Sequence, residues 1–141
     1  MRITADHLPT LHLLAAGYNL CIIPFSKFFG PDLGSVDSSF DPFGALTIVL
    51  WGLAYGSIHK SHPHTPVLSL VFGIEKLCFG LRWIWWFSAN YDSKLLDLIR
   101  SDPLTGLFFS GYGIFDLLSA ALFFYCAVRY WDGPGVKDKD N

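Results

Sequence analysis

Charge is in short supply in this chain. Asp, Glu, Lys and Arg make up 16% of its 141 residues, where a soluble domain carries about 25%, and they gather between long apolar runs instead of alternating with them. That excludes the mixed polar surface of an ordinary soluble domain. The ten basic and twelve acidic residues leave a net charge of −2 with no dense basic patch, which excludes nucleic acid as a partner. Cysteine is sparse too. Cys21, Cys78 and Cys126 each lie in an apolar stretch, at spacings that match no zinc or redox motif, and read as small buried hydrophobes. There is no glycine loop to cradle phosphate, no serine nucleophile elbow and no Cys-x-x-Cys-His haem attachment. The common soluble enzyme classes fall away, and no cofactor is expected.

What is abundant is hydrocarbon: 52% of residues are apolar or aromatic and the mean hydropathy is +0.38. About 20 consecutive apolar residues cross a bilayer core, with about 17 as the lower limit. Four stretches qualify, at 8–29, 42–58, 66–88 and 103–130. The expected fold is an all-α integral membrane protein, one membrane domain built as an antiparallel four-transmembrane-helix bundle, with a polar tail over 132–141. The stretch at 42–58 is the shortest; were it only to dip into the membrane, the termini would fall on opposite sides. Arg2 followed by an apolar run resembles a secretory signal, but Pro9 and His12 interrupt that run and it continues to Phe29, so it reads as a retained first helix.

Helix starts are well marked, because a capping side chain before proline satisfies an orphan N–H while proline supplies a helical φ without wasting a donor. Asp41-Pro42, Thr65-Pro66 and Asp102-Pro103 carry this pair, and Asp6 with Pro9 is a looser version. Pro24 should kink the first helix, and Gly30-Pro31 should end it. The acidic, Ser- and Gly-rich connection from Gly30 to Asp41 reads as a loop in water. Between Asn90 and Asp102, Leu95, Leu96 and Ile99 share a face opposite Asp97 and Arg100, which fits a short interfacial helix or an ordinary loop. Arg2, Lys60, Arg129, Lys137 and Lys139 fall on one side of the four spans and Lys27, Lys94 and Arg100 on the other, so the basic excess places both termini in the cytoplasm; a bacterial inner membrane fits the size. Trp83, Trp85 and Trp86 near one surface, with Tyr125, Tyr130 and Trp131 near the other, read as interfacial belts.

The third span, VFGIEKLCFGLRWIWW, places Glu75, Lys76 and Arg82 in an otherwise apolar helix. A charged side chain at the bilayer centre costs roughly 3 kcal/mol on insertion scales, so such residues face the bundle interior and find partners. Antiparallel packing brings Asp116 of the fourth span to the depth of Glu75 and Lys76, with Tyr18 and Asn19 of the first span and Trp51 of the second. Gly73, Lys76 and Gly80 share one stripe, and the glycines let a neighbouring helix approach. Lys76 is therefore expected to pair with Asp116. Glu75 is expected to turn toward Asn19, Tyr18 or a cavity, and Arg82 to reach Glu75 through water or extend to the headgroups. These four charges, two of each sign, are a neutral set that could merely fix helix register. Alternatively Glu75 is a proton carrier or general acid, with Asp116 as its electrostatic partner and Trp51 or Tyr55 stacking on a substrate.

His59, His62 and His64 crowd the turn between the second and third spans. Imidazoles in this number can bind a metal, but the spacing is no known metal pattern and no carboxylate or cysteine adjoins it, so a polar interfacial turn is the ordinary explanation. His12 reads as a hydrogen-bonded core or interfacial residue and not as a ligand. Small residues four apart, at Gly52 and Gly56, Ser69 and Gly73, and Gly106 and Ser110, mark helix contacts within the bundle or with another subunit.

In size and four-span layout the chain resembles small bacterial membrane proteins such as the DoxX-like group, and sterol-isomerase-type four-helix proteins that use intramembrane acids. The likeness covers layout alone and carries no site across. The leading expectation is a non-catalytic accessory or assembly subunit that docks another membrane protein. Behind it come a bundle that binds or transports a proton, an ion or a lipophilic small molecule, and an intramembrane enzyme acting on a lipid or isoprenoid. The bilayer is a partner in each.

Overall fold

The computed structural model describes residues 7–133, and the described residues form helices and turns with no strand. Seven α-helices follow one another: α1 (Leu8–Leu20), α2 (Ile22–Phe25), α3 (Asp32–Val36), α4 (Pro42–Ser57), α5 (Pro66–Asn90), α6 (Leu96–Ser101) and α7 (Pro103–Arg129). Four are long. Contacts of Asn19 with Ile48, Tyr55 with Phe72 and Glu75, and Lys76 with Asp116 run in opposite chain directions from one helix to the next. The long helices therefore stand up and down in a ring in which α1 packs against α4 and α5 against α7.

Two of the expected capping pairs act as expected. The Asp41 carboxylate accepts from the Gly44 amide at 2.7 Å, and that of Asp102 from the Thr105 amide at 3.4 Å. Thr65 does not cap; its hydroxyl donates to the Ser61 carbonyl at 3.2 Å. Asp6 lies outside the described residues, as do Arg2, Lys137 and Lys139, and α1 starts after His7 with Pro9 in its first turn.

The first apolar stretch is not one helix to residue 29. Proline at position 24 offers no N–H to the Leu20 carbonyl and its ring crowds that oxygen, so α1 ends at Leu20 and α2 begins beyond Cys21. After α2, Lys27, Phe28 and Phe29 adopt φ of 50, 59 and 64°, a left-handed run that turns the chain away. Lys27 holds it there, reaching Asp32 at 2.5 Å and Asp102 at 2.9 Å. The hydrogen bonds to Asp102 and then Asp32 raise its pKa, and those from Lys27 and Thr105 hold Asp102 below the usual carboxylate range.

The connection from Gly30 to Asp41 is a folded cap and not a solvated loop. α3 buries Leu33, and a 3-10 turn, Ser38–Phe40, drives Phe40 into the core against Phe108, Phe109 and Tyr112. At the far end of α5 the chain continues through a π turn, Tyr91–Leu95, into α6, so the segment is helical with Leu95 buried while Leu96 and Ile99 are exposed. The tryptophans divide. Trp85 is exposed, but Trp86 is buried against Phe109 and Trp83 donates its indole N–H to the Phe109 carbonyl at 2.9 Å. Of the cysteines only Cys126 is buried; Cys21 and Cys78 are exposed.

Polarity runs inside out. Leu14 on α1, Leu50 on α4, Leu81 on α5 and Leu118 on α7 are each more than half exposed, while His12, Asn19, Lys76 and Asp116 are buried. Among the described residues two helical stretches, Leu8–Phe25 (α1 and α2 together) and Pro103–Arg129, are long and apolar enough to cross a membrane; Pro42–Ser57 is apolar but shorter.

Candidate functional site

Lys76 sits near the middle of α5 with 2% of its surface exposed, and Asp116 near the middle of α7 with 4%. The Lys76 ammonium donates to Asp116 Oδ1 and to Asn19 Oδ1, both at 2.6 Å. The pairing read from helix depth is present. Asn19 uses the other end of its amide as well, donating to the Ile48 carbonyl of α4 at 3.0 Å, so one side chain joins α1, α4 and α5. The ammonium also lies 5.6 Å from the Tyr18 ring centre and 5.4 Å from that of Tyr55, near enough for cation–π attraction.

Glu75 turns elsewhere. Its Oε2 accepts a short hydrogen bond from the Tyr55 hydroxyl, and its Oε1 has no hydrogen-bond partner among the described residues. Asn19 is spent on Lys76, and the Tyr18 hydroxyl donates to the Tyr112 carbonyl at 2.8 Å, so neither expected neighbour reaches Glu75. It does face a cavity.

Arg82 makes no direct contact with Glu75, nor does it extend freely to headgroups. Its guanidinium forks onto Asp37, with Nε and Nη2 each 3.0 Å from a carboxylate oxygen. Asp37 also accepts from the Ser39 amide at 2.9 Å. Burial would raise the Asp37 pKa, but the Arg82 and Ser39 hydrogen bonds outweigh it and hold the carboxyl below its ordinary range. With Arg82 removed to the cap, the midplane group is Glu75, Lys76 and Asp116, one cation and two carboxylates. It is no longer the neutral set that the sequence implied.

A cavity of about 380 Å³ opens beside this group, between α1–α2 on one side and α7 on the other. Its floor is polar, made by Asn19, Glu75, Lys76 and Asp116, and its walls are aromatic, with Tyr18, Phe79, Phe108 and Phe115 among them. Exposed Leu107, Phe115 and Cys21 rim the mouth, and a side chain added at Gly111 would meet open space. The mouth is on the flank of the bundle. Tyr18 and Phe115 stack at 5.1 Å and divide the cavity from a second groove of about 650 Å³ in the same α1/α7 seam, lined by Leu11, Leu14, Leu118 and Leu122 with no charged residue. Trp51 and Tyr55 do not line either space; they pack together against Phe72, and Tyr55 reaches the charged group from behind, holding Glu75 and lying beside the Lys76 ammonium.

The three turn histidines part company. His64 is exposed, His59 places Nδ1 on the Gly56 carbonyl at 2.7 Å, and His62 turns inward. Among the described residues no three His, Cys, Asp or Glu side chains are arranged to hold a metal ion. His62 instead stacks on His12 at 5.0 Å and meets Tyr130 edge-on. Each ring has Nδ1 on a backbone carbonyl, Leu8 at 2.8 Å for His12 and His59 at 3.1 Å for His62. A carbonyl only accepts, so the proton of each neutral ring is on Nδ1. Burial lowers the His62 pKa more than its hydrogen bond to His59 raises it.

Sequence reasoning found the Lys76–Asp116 pair and placed Tyr18, Asn19 and Glu75 beside it. It missed Asp37, Phe40 and the His12–His62 stack. No family model, curated protein or solved structure matches the chain.

Proposed function

We propose that this chain is a four-span membrane protein that holds a lipophilic small molecule in the cavity between α1–α2 and α7. The observation that carries the reading is that cavity: an opening on the flank of the bundle, aromatic walls, and ionisable groups at its floor. Pockets of this kind, mostly apolar with few convergent polar groups, are the usual form of small-molecule sites. The membrane part rests on the reversed polarity of the four long helices, since water would not tolerate their leucine faces and lipid requires them. α5 has the length to span at 25 residues, and its lysine costs little in lipid once Asp116 compensates it. In this reading the up-and-down order keeps both termini on one side, which the basic residues assign to the cytoplasm.

The accessory-subunit reading drew its weight from the small-residue faces, and these are used inside the chain. Gly52 packs on Asn19, Gly73 on Phe124 and Gly106 on Ile99. Catalysis would need Glu75 and Asp116 to work together, whereas Lys76 occupies Asp116.

Native mass spectrometry of the gently solubilised protein from its own membranes tests the proposal. Wild type is expected to retain a lipophilic small molecule that Gly111→Trp, which fills the mouth, does not. A wild-type protein that comes off bare, or with a stoichiometric protein partner instead, refutes it. Reporter fusions after residues 60 and 92 test the topology and should report opposite sides of the membrane.

A further inference from the structure

Resting on the cavity reading above, we infer that the ligand is a single-chain amphiphile with a positively charged amine head, seated with its head at Glu75 and its chain along the neighbouring α1/α7 groove. The head follows from charge and geometry. Lys76 and Asp116 neutralise each other at 2.6 Å, and Arg82 is committed to Asp37. With all three midplane groups ionised, one negative charge is left, and it belongs to Glu75. Its Oε2 is held by Tyr55 while Oε1 has no hydrogen-bond partner among the described residues. In an apolar surround an unmatched carboxylate is costly, and it is stabilised by an opposite charge or a donor brought to it. An alkylammonium supplies both. The walls agree with this choice, because Tyr18, Phe79, Phe108 and Phe115 line the cavity and aromatic rings attract cations, while the one cation at the floor, Lys76, is already taken by Asp116.

The chain follows from the second space. Cavity and groove share Tyr18 and Phe115, whose rings form the partition between them. A chain attached to a head at Glu75 reaches the groove by passing this pair, and what lies beyond is lined by leucines and carries no charge. The groove is a single furrow of about 650 Å³ between α1 and α7, and we seat one chain along it.

The experiment uses the full chain in phosphatidylcholine nanodiscs, offered hexadecylamine, hexadecanol or palmitate singly and read by native mass spectrometry. Wild type should retain the amine over the alcohol by at least about tenfold, and palmitate least of all. Glu75→Gln should bring the amine down to the level of the alcohol and leave the alcohol unchanged. Leu118→Trp, which fills the groove, should expel hexadecylamine but not butylamine. Equal retention of amine and alcohol by wild type, or amine retention that survives Glu75→Gln, overturns the amine head while the cavity reading stands. Hexadecylamine that survives Leu118→Trp overturns the path of the chain. Failure to retain any of the probes overturns the amphiphile, while the cavity reading stands or falls on the small molecule retained by wild type from its own membranes. The wild-type series decides the charge of the head even if Glu75→Gln does not fold.

Discussion

α7 has two flanks, and they are built on different principles. Toward α5 it interlocks. Gly73 admits Phe124, Gly80 admits Leu117 at a separation that would put an added Cβ 2.6 Å from its side chain, and Gly113 admits the Trp83 ring. The Lys76–Asp116 pair lies in the same seam. Toward α1 the helices stand apart, touching through Tyr18 with Phe115 and Tyr112 and, lower down, through His12 with Phe123 and Leu8 with Cys126 and Tyr130. Glycines occur on both flanks, but Gly113 is a socket and Gly111 faces empty space. Small residues therefore mark close packing on one side of this helix and open space on the other, and composition alone does not tell them apart.

The comparison can be broken most severely at the closed flank. Lys76→Ala leaves Asp116 buried without its cation and should cost about 3–5 kcal/mol, read as thermal unfolding in detergent. Lys76→Met combined with Asp116→Leu should recover most of that loss; a double variant as unstable as the single one would mean that the pair does more than neutralise itself. Gly113→Ala, which drives a methyl into Trp83, should cost about 1–3 kcal/mol. Gly111→Ala, two residues away, should be neutral or stabilise by about 0.5–1 kcal/mol, because alanine is the better helix former and nothing opposes it. Equal losses at the two glycines would erase the distinction between flanks. Tyr18→Phe removes one hydrogen bond across the open flank and should cost about 0.5–1.5 kcal/mol.

The mildest test is pH. His62 closes the foot of the open flank as a neutral imidazole, with a pKa below its ordinary value of 6.5. The unfolded chain takes up a proton near pH 6.5 and the folded one resists it, so stability is constant above that value and declines as pH falls below it. His62→Phe should flatten that decline in a pH series of melting temperatures; an unchanged slope would place its origin elsewhere.

Much of the architecture is written locally. Proline after Asp or Thr marks three of the long helices at their first residue, and the depth of Lys76 and Asp116 along their spans is enough to pair them. Arg82 shows where such reasoning stops. Its place on the apolar third span is plain in the sequence, but its partner Asp37 is 45 positions earlier in a segment whose serines and glycines read as solvent loop. What organises that segment is Phe40, and nothing local says that one phenylalanine before Asp41 enters the core. His12 and His62 are likewise ordinary until the ring of helices closes and brings them together. The cavity has no sequence signature because it is a gap between α1 and α7, a property of where two helices fail to meet.

Asn19 carries a mechanical consequence. Parallel rods can slide, roll or splay, and a planar amide bonded at one end to the α4 backbone and at the other to Lys76 forbids the first two for three rods at one height. Splaying about that height remains. Any widening of the flank of the bundle is thus a splay of levers that pivot at the waist, with the ends of the helices travelling farthest and the charged centre moving least.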